Sequence, residues 1–257
     1  MKVIRLLLAT TLLALGATLT SCSNDDDKAG MGKALTRLTL EDEDGYYQSL
    51  HFSWEDNKVS FIQVWESNRY GNMLLSAELT PEYRNGKLES CYAYSAEDRS
   101  GITLQGNYTG NQLTQVQIPR EDPALLSYDT EGNLRSININ HDQLSFSWSG
   151  GRITQIIDPD GRSVSVTCDD KRNPLNDVIR CIIGSWSATM GNITRLVNYR
   201  GETVDLQYTF DGDYPSQCRV IVDGKVGGIL YYEYADGSGS APANLPANYS
   251  KKSWRIF

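Results

Sequence analysis

The residues that could do chemistry are few and scattered. Only two histidines occur, His51 and His141. They are far apart and form no His-Glu-x-x-His pair, so their spacing supplies no metal centre. Each falls at the polar phase of a strand or beside a turn, and both are expected at the surface. No Gly-x-Ser-x-Gly elbow, Ser-x-x-Lys pair or phosphate-cradling glycine loop occurs, and Gly237-Ser238-Gly239-Ser240 is loop composition. Asp158-Pro159-Asp160-Gly161 and Asp211-Gly212-Asp213 open like calcium loops. Neither continues to the spaced acidic ligands and terminal glutamate of an EF-hand, and Asp and Gly belong in hairpin turns. A carboxylate pair ~5–9 Å apart suffices for glycoside hydrolysis. The candidates Asp129, Glu131, Asp158 and Asp169 all lie in turn-like segments, where solvent deprives an acid of the shielded environment that proton donation needs. The sequence implies no cofactor.

One cysteine stands apart. Met1-Lys2-Val3-Ile4-Arg5 is a short basic opening, and the uncharged run from Leu6 to Leu19 follows. That run is shorter than the ~20 residues of a spanning helix and has the anatomy of a secretory signal. It ends in Leu19-Thr20-Ser21-Cys22, which resembles the lipobox of bacterial lipoproteins. The resemblance implies cleavage before Cys22 and lipid attachment to its thiol, giving a signal peptide at 1–21. Ser23-Asn24-Asp25-Asp26-Asp27 then resembles the acidic export tag of Bacteroidota surface lipoproteins, which implies an outer-membrane lipoprotein facing the cell surface through Asp25, Asp26 and Asp27. A solvated acidic tether facing the periplasm is the alternative. Residues 22–33 are read as that tether and 34–257 as a single β-repeat domain.

The chain carries 24 basic against 32 acidic residues, a formal net charge of −8, and loses Lys2 and Arg5 on cleavage. Such a chain is poorly suited to nucleic acid or to anionic headgroups, so acyl chains would hold it to the membrane. Export permits disulfides. The spacings of Cys91, Cys168, Cys181 and Cys218 match no zinc or redox motif. All four read as buried strand residues, with a Cys168–Cys181 bridge as the alternative.

From Leu35 onward the chain alternates strand and turn. Leu144, Phe146 and Trp148 interleave with Gln143, Ser145 and Ser147, the period-two pattern of a half-buried strand. Clusters of Asn, Gly and Asp then supply residues that tolerate positive φ in tight turns. Tyr108, Tyr128, Trp148 and Cys168 are spaced 20, 20 and 20 apart, a fixed repeat long enough for two short strands and two turns. After each turn apolar residues fall at i and i+3: Val59/Ile62, Leu113/Val116, Leu134/Ile137, Ile153/Ile156. A regular strand would put those on opposite faces. A bulge just after the turn would place both on the core side. A first residue still within the turn is the alternative, and either predicts a strongly twisted, curling sheet. Asn173-Pro174 opens a short apolar helical insertion near residues 174–184, expected to plug one end of the sheet. Trp54 and Trp148 fall at the core phase, as Trp254 does. Trp65 and Trp186 cannot be placed by phase. Trp254 and Phe257 are expected to return onto the sheet.

Tyr128-Asp129 and Gly132-Asn133-Leu134, together with Asp169-Asp170-Lys171-Arg172-Asn173-Pro174-Leu175, resemble a group of Bacteroidota outer-membrane lipoproteins built from degenerate YD-type (Rhs-like) β-hairpin repeats. The resemblance implies an antiparallel sheet that curls on itself and implies no activity. The expected fold is therefore mainly β: an antiparallel meander of about 20-residue hairpin repeats forming a curled or half-closed sheet. The expected function is a non-catalytic, lipid-anchored envelope protein binding a glycan or an envelope protein on that sheet. A carbohydrate-active hydrolase using a carboxylate pair, or a structural spacer without ligand, are the alternatives.

Overall fold

The computed structural model describes residues 32–68, 70–182 and 191–236. Cys22, expected to carry lipid, and Asp25, Asp26, Asp27, Trp186, Trp254 and Phe257 lie outside them. Sixteen strands follow one another: β1 (Lys33–Asp42), β2 (Tyr47–Glu55), β3 (Lys58–Ser67), β4 (Met73–Arg84), β5 (Lys87–Ser95), β6 (Ser100–Thr109), β7 (Gln112–Gln117), β8 (Ala124–Tyr128), β9 (Leu134–Ile139), β10 (Asp142–Ser149), β11 (Arg152–Ile157), β12 (Ser163–Cys168), β13 (Ile193–Asn198), β14 (Thr203–Asp211), β15 (Tyr214–Val222) and β16 (Lys225–Asp236). Helix α1 (Leu175–Ile182) lies between β12 and β13. Each strand pairs antiparallel with its neighbours in sequence, and β1 pairs with β16 from Lys33↔Asp236 to Asp42↔Gly228. The meander is as expected, but the sheet is neither curled open nor half-closed: it is a closed barrel. Closure gives the outer strands of the meander a partner along their whole length, removing two unpaired edges.

The end at which β1 begins and β16 finishes is termed proximal, the other distal. The bulge pattern lies mainly at the proximal end. Trp54 pairs with Val59 while Ser53 pairs with Phe61, leaving Ser60 unopposed. Thr114, Thr154, Thr194 and Ser216 are unopposed in the same way. Each of these four hydroxyls reaches a carbonyl of the partner strand, Asn107, Ser147, Thr167 and Thr209, at 3.1–3.4 Å. The bulge, rather than a longer turn, brings both apolar residues inward: Val59 and Ile62, and Leu134 and Ile137, are all buried.

A second ring of bonds locks adjacent hairpins. Trp54 Nε1 donates to the Leu35 carbonyl, Tyr83 Oη to Val59, Tyr128 Oη to Leu113 and Trp148 Nε1 to Leu134. Tyr208 Oη donates to Ile193 and Tyr234 Oη to Pro215, all at 2.7–3.0 Å, and Tyr108 bonds to the backbone of Leu88. At the 20-residue position where an aromatic is missing, the Cys168 thiol stands 4.0 Å from the Ile153 carbonyl. The repeated aromatic thus fills the core and satisfies a carbonyl that the bulge frees.

Helix α1 is an insertion into one turn of this series. In the uninterrupted turn Asp129 Oδ1 accepts from the amides of Glu131 and Asn133, and Asn133 Nδ2 returns to Asp129 Oδ2. Asp169 and Asn192 make the same clasp across the insertion, from the Asn192 amide at 2.7 Å and its Nδ2 at 3.2 Å. Asn173 caps the helix through the Leu175 amide, and Pro174 occupies the first helical position, where its missing N–H is harmless. Val178 and Ile179 are buried in the barrel core with Leu35, Val59, Leu113 and Leu134. The helix crosses the proximal opening to pack on β1, β3 and β5. A circular barrel of this many strands would leave a channel; here side chains drawn from around the wall and from α1 form one packed cluster.

Candidate functional site

The wall has the reverse polarity of a barrel that spans a bilayer. Its inward positions carry Leu126, Ile137, Phe146, Ile153 and Val166, and its outward positions carry Ser127, Ser136, Ser147, Gln155, Ser165 and Thr167. A spanning barrel needs an outward apolar band and strands of ~9–11 residues. Strands β7, β8, β9, β11, β12 and β13 have only 5 or 6. The concave face of the sheet is therefore core, and any binding surface lies on the rim or the outer wall.

The distal rim concentrates exposed apolar groups. Among the described residues eight large apolar side chains stand out as exposed, and Tyr46, Tyr70, Leu74, Tyr199, Val222 and Val226 are six of them. All six lie in or beside four consecutive distal loops running across the seam: β13–β14, β15–β16, β1–β2 and β3–β4. Three of these loops share one construction. Asp42 Oδ1 accepts from the amides of Asp44 and Tyr46, Asn68 Oδ1 from Tyr70 and Asn72, and Asn198 Oδ1 from Arg200 and Glu202. Gly45, Gly71 and Gly201 supply the positive φ that closes each loop, at 76°, 75° and 82°. The tyrosines thus project from turns set by side-chain hydrogen bonds, with Tyr199 also flanked by the guanidinium groups of Arg162 and Arg200.

The outer wall carries two further features. Across β16 to β4, Arg37 pairs with Glu233 over the seam, Tyr47 and Tyr231 both donate to Glu41, and Gln63 donates to Glu78. The bond to Glu41 holds the Tyr47 phenol up at about 12. Trp65 lies on this outward face, its ring 6.1 Å from that of His51. His51 accepts or donates to Ser49 Oγ at 3.0 Å, and burial, with Arg37 adding to it, lowers its pKa to about 4. The second feature is a cleft of about 360 Å³ on β5 and β6, lined by Glu89, Ser90, Thr103, Gln105, Gly106 and Asn107.

Of the candidate acids only Asp129 and Glu131 come together: both carboxylates accept from Asn133 Nδ2, at 2.9 and 3.5 Å, in a turn where Glu131 is exposed to solvent. Asp129, Glu131 and Asp169 lie in proximal turns, whereas Asp158 is distal, where its Oδ1 accepts from the Arg162 amide and Arg162 also pairs with Asp160. Asp211 pairs with Lys33. His141 stands exposed in the β9–β10 turn, 3.8 Å from Asp122. His51 is on the outer wall as its phase predicts, but it is half-buried there beside Trp65. Trp54 and Trp148 pack against the core. Cys91, Cys168 and Cys218 form no disulfide, so the Cys168–Cys181 bridge is not made; Cys181 falls in α1 and not in a strand, and burial pushes Cys91 and Cys218 up to about 12. The sequence reading missed Tyr46, Tyr70 and Tyr199. The available signal was a tyrosine set inside or just after an Asx-x-x-Gly turn.

A closed antiparallel barrel with an apolar interior, a helix across its proximal opening and a polar outer wall is the class these features define. The fold is similar to that of a porin-like protein from Bacteroides uniformis, with a TM-score of 0.55 and 12% identity over 80% of this chain and 98% of that one. A porin-like protein from Bacteroides vulgatus aligns with a TM-score of 0.41 and 11% identity, over 79% and 99%. No family model and no curated protein matches the sequence.

Proposed function

We propose that the protein is a non-catalytic, lipid-anchored envelope protein: a water-soluble barrel held to the outer membrane through Cys22, displayed at the cell surface through Asp25, Asp26 and Asp27, and binding an envelope partner with its distal rim. The observation that carries this reading is the inverted polarity of the wall. An apolar interior closed by α1 suits neither conduction nor a lumenal active site, and a Ser, Thr and Gln exterior suits water. The lipobox supplies the attachment that such a wall cannot. The porin-like neighbours from Bacteroides and the resemblance to hairpin-repeat lipoproteins fit an outer-membrane setting. Because the chain enters the barrel at the proximal end, a tether from Cys22 leaves the distal rim pointing away from the bilayer. Exposed rings held on preset turns bind with little ordering cost, and a concentration of apolar surface marks an interaction site. Placing a photo-crosslinking amino acid at Tyr70 or Tyr199 in living cells tests the reading, with Ser145 on the outer wall as control. Adducts from the two rim positions alone are expected. No adduct, or equal yields at all three positions, would count against it.

A further inference from the structure

We propose that the cleft on β5 and β6 is a binding site for a neutral saccharide, separate from the distal rim and independent of what that rim binds. The cleft is lined by Glu89, Ser90, Thr103, Gln105 and Asn107, with the backbone of Gly106 at its base. Thr103, Gln105 and Asn107 are consecutive outward positions of β6, all exposed. Their hydroxyl and amide groups make no hydrogen bond to another side chain among the described residues. On other parts of the outer wall some such groups pair with one another, Ser127 with Ser136 at 2.6 Å, Thr39 with Ser49 at 2.9 Å and Gln63 with Glu78 at 2.9 Å; what sets the β6 groups apart is that three of them line one depression. Unpaired groups that both donate and accept, converging on one depression, suit a ligand rich in hydroxyls.

Beside the cleft lies a ring. Tyr92 is two residues along from Ser90 on the same face and pairs with Thr103 across the strands. It is 46% exposed. A methyl group added to Gly101 would collide with Tyr92 Oη, Cζ and Cε2, so the side chain leans over bare glycine backbone and lies against the wall. Its other face is open to solvent, the arrangement that lets an aromatic ring stack on the C–H face of a sugar. The charges point the same way. Arg84 is taken up by Glu89 at 3.1 Å, Ser90 Oγ donates to Glu82 at 2.6 Å, Lys87 is turned to the Gly110 carbonyl and the Tyr108 ring, and the cleft lining itself carries Glu89 and no cation. Phosphates and acidic sugars are disfavoured there.

The test is calorimetric titration of the Cys22→Ser mature chain with neutral hexasaccharides of α-linked glucose, β-linked glucose and N-acetylglucosamine. Saturable binding of at least one is expected. Tyr92→Ala should weaken it at least tenfold, and Gln105→Ala severalfold. Gly101→Ala, which keeps the tyrosine but lifts it from the wall, should weaken it as well. Ser147→Ala, on the wall away from the cleft, should leave it unchanged, and all variants are checked for unaltered thermal melts. Binding unaffected by both Tyr92→Ala and Gln105→Ala, or no binding of any of the three sugars, would overturn the assignment without touching the rim proposal.

Discussion

His51 shows how a single outward side chain can report on the fold. Its ring is wedged between Ser49 and Trp65 and faces Arg37, and burial together with that cation lowers its pKa to about 4. Glu233 opposes the shift without cancelling it. In the unfolded chain the imidazole titrates near ~6.5. Between those values the unfolded state binds a proton that the folded state refuses, so stability is full above about 6.5 and is lost as pH falls toward 4. Urea unfolding at pH 7 and pH 5 should show a smaller difference for His51→Gln than for the native chain. An identical difference would mean that other groups carry the acid sensitivity. The recurrent aromatic-to-carbonyl bonds belong to the same scale. Each satisfies one backbone acceptor that would otherwise be buried unpaired, an omission worth ~1–3 kcal/mol.

At the scale of elements, the hairpin with its bulge is the unit, and α1 is its one elaboration. The Asp169–Asn192 clasp repeats that of Asp129–Asn133, so the turn geometry survives the insertion and the helix hangs from an intact hinge point. What the insertion adds is a lid of apolar side chains over β1, β3 and β5. Ile179 is only 2% exposed, and Ile179→Ala should destabilise the barrel by about 2–5 kcal/mol, measured as the shift in urea midpoint. A loss under 1 kcal/mol would mean that the helix rests on the barrel without sealing it. The bulge explains why the i and i+3 spacing recurs, because the ladder skips the residue after the turn, Ser60, Thr114, Arg135 or Thr154; at Thr114 and Thr154 the skipped residue's own hydroxyl occupies a partner-strand carbonyl.

For the whole molecule, the polarity of the wall decides behaviour. A closed barrel with Ser165 and Thr167 outside and Val166 inside turns a polar wall to its surroundings. The mature chain with Cys22→Ser should remain in solution without detergent and should produce no conductance steps in planar bilayers. Stepwise conductance at nanomolar protein would refute the reading of the interior as closed to ions. Closure at the β1–β16 seam also matters for the rim, because it brings the β15–β16 and β1–β2 loops side by side and makes one arc of tyrosines drawn from opposite ends of the chain.

The sequence by itself determined the local order of this protein: strand, turn, bulge, inward aromatic. All of these are read within a few residues, because period-two alternation sets which side chains share a face and Gly, Asn and Asp set where the chain reverses. It also located α1, through Asn173-Pro174 and a run of apolar residues. Closure was beyond it. Whether a meander curls, half-closes or seals depends on twist accumulated over sixteen strands, and the pairing of Leu35 with Tyr234 has no local signal. Alternation likewise says that Trp65 and Val64 face opposite ways without saying which of them faces the core, and here neighbouring strands put Val64 inside. The cleft was hidden for the same reason. Tyr92, Gly101 and Gln105 become neighbours only when β5 and β6 pair in register, and a binding surface made across strands exists only once the tertiary structure has set that pairing.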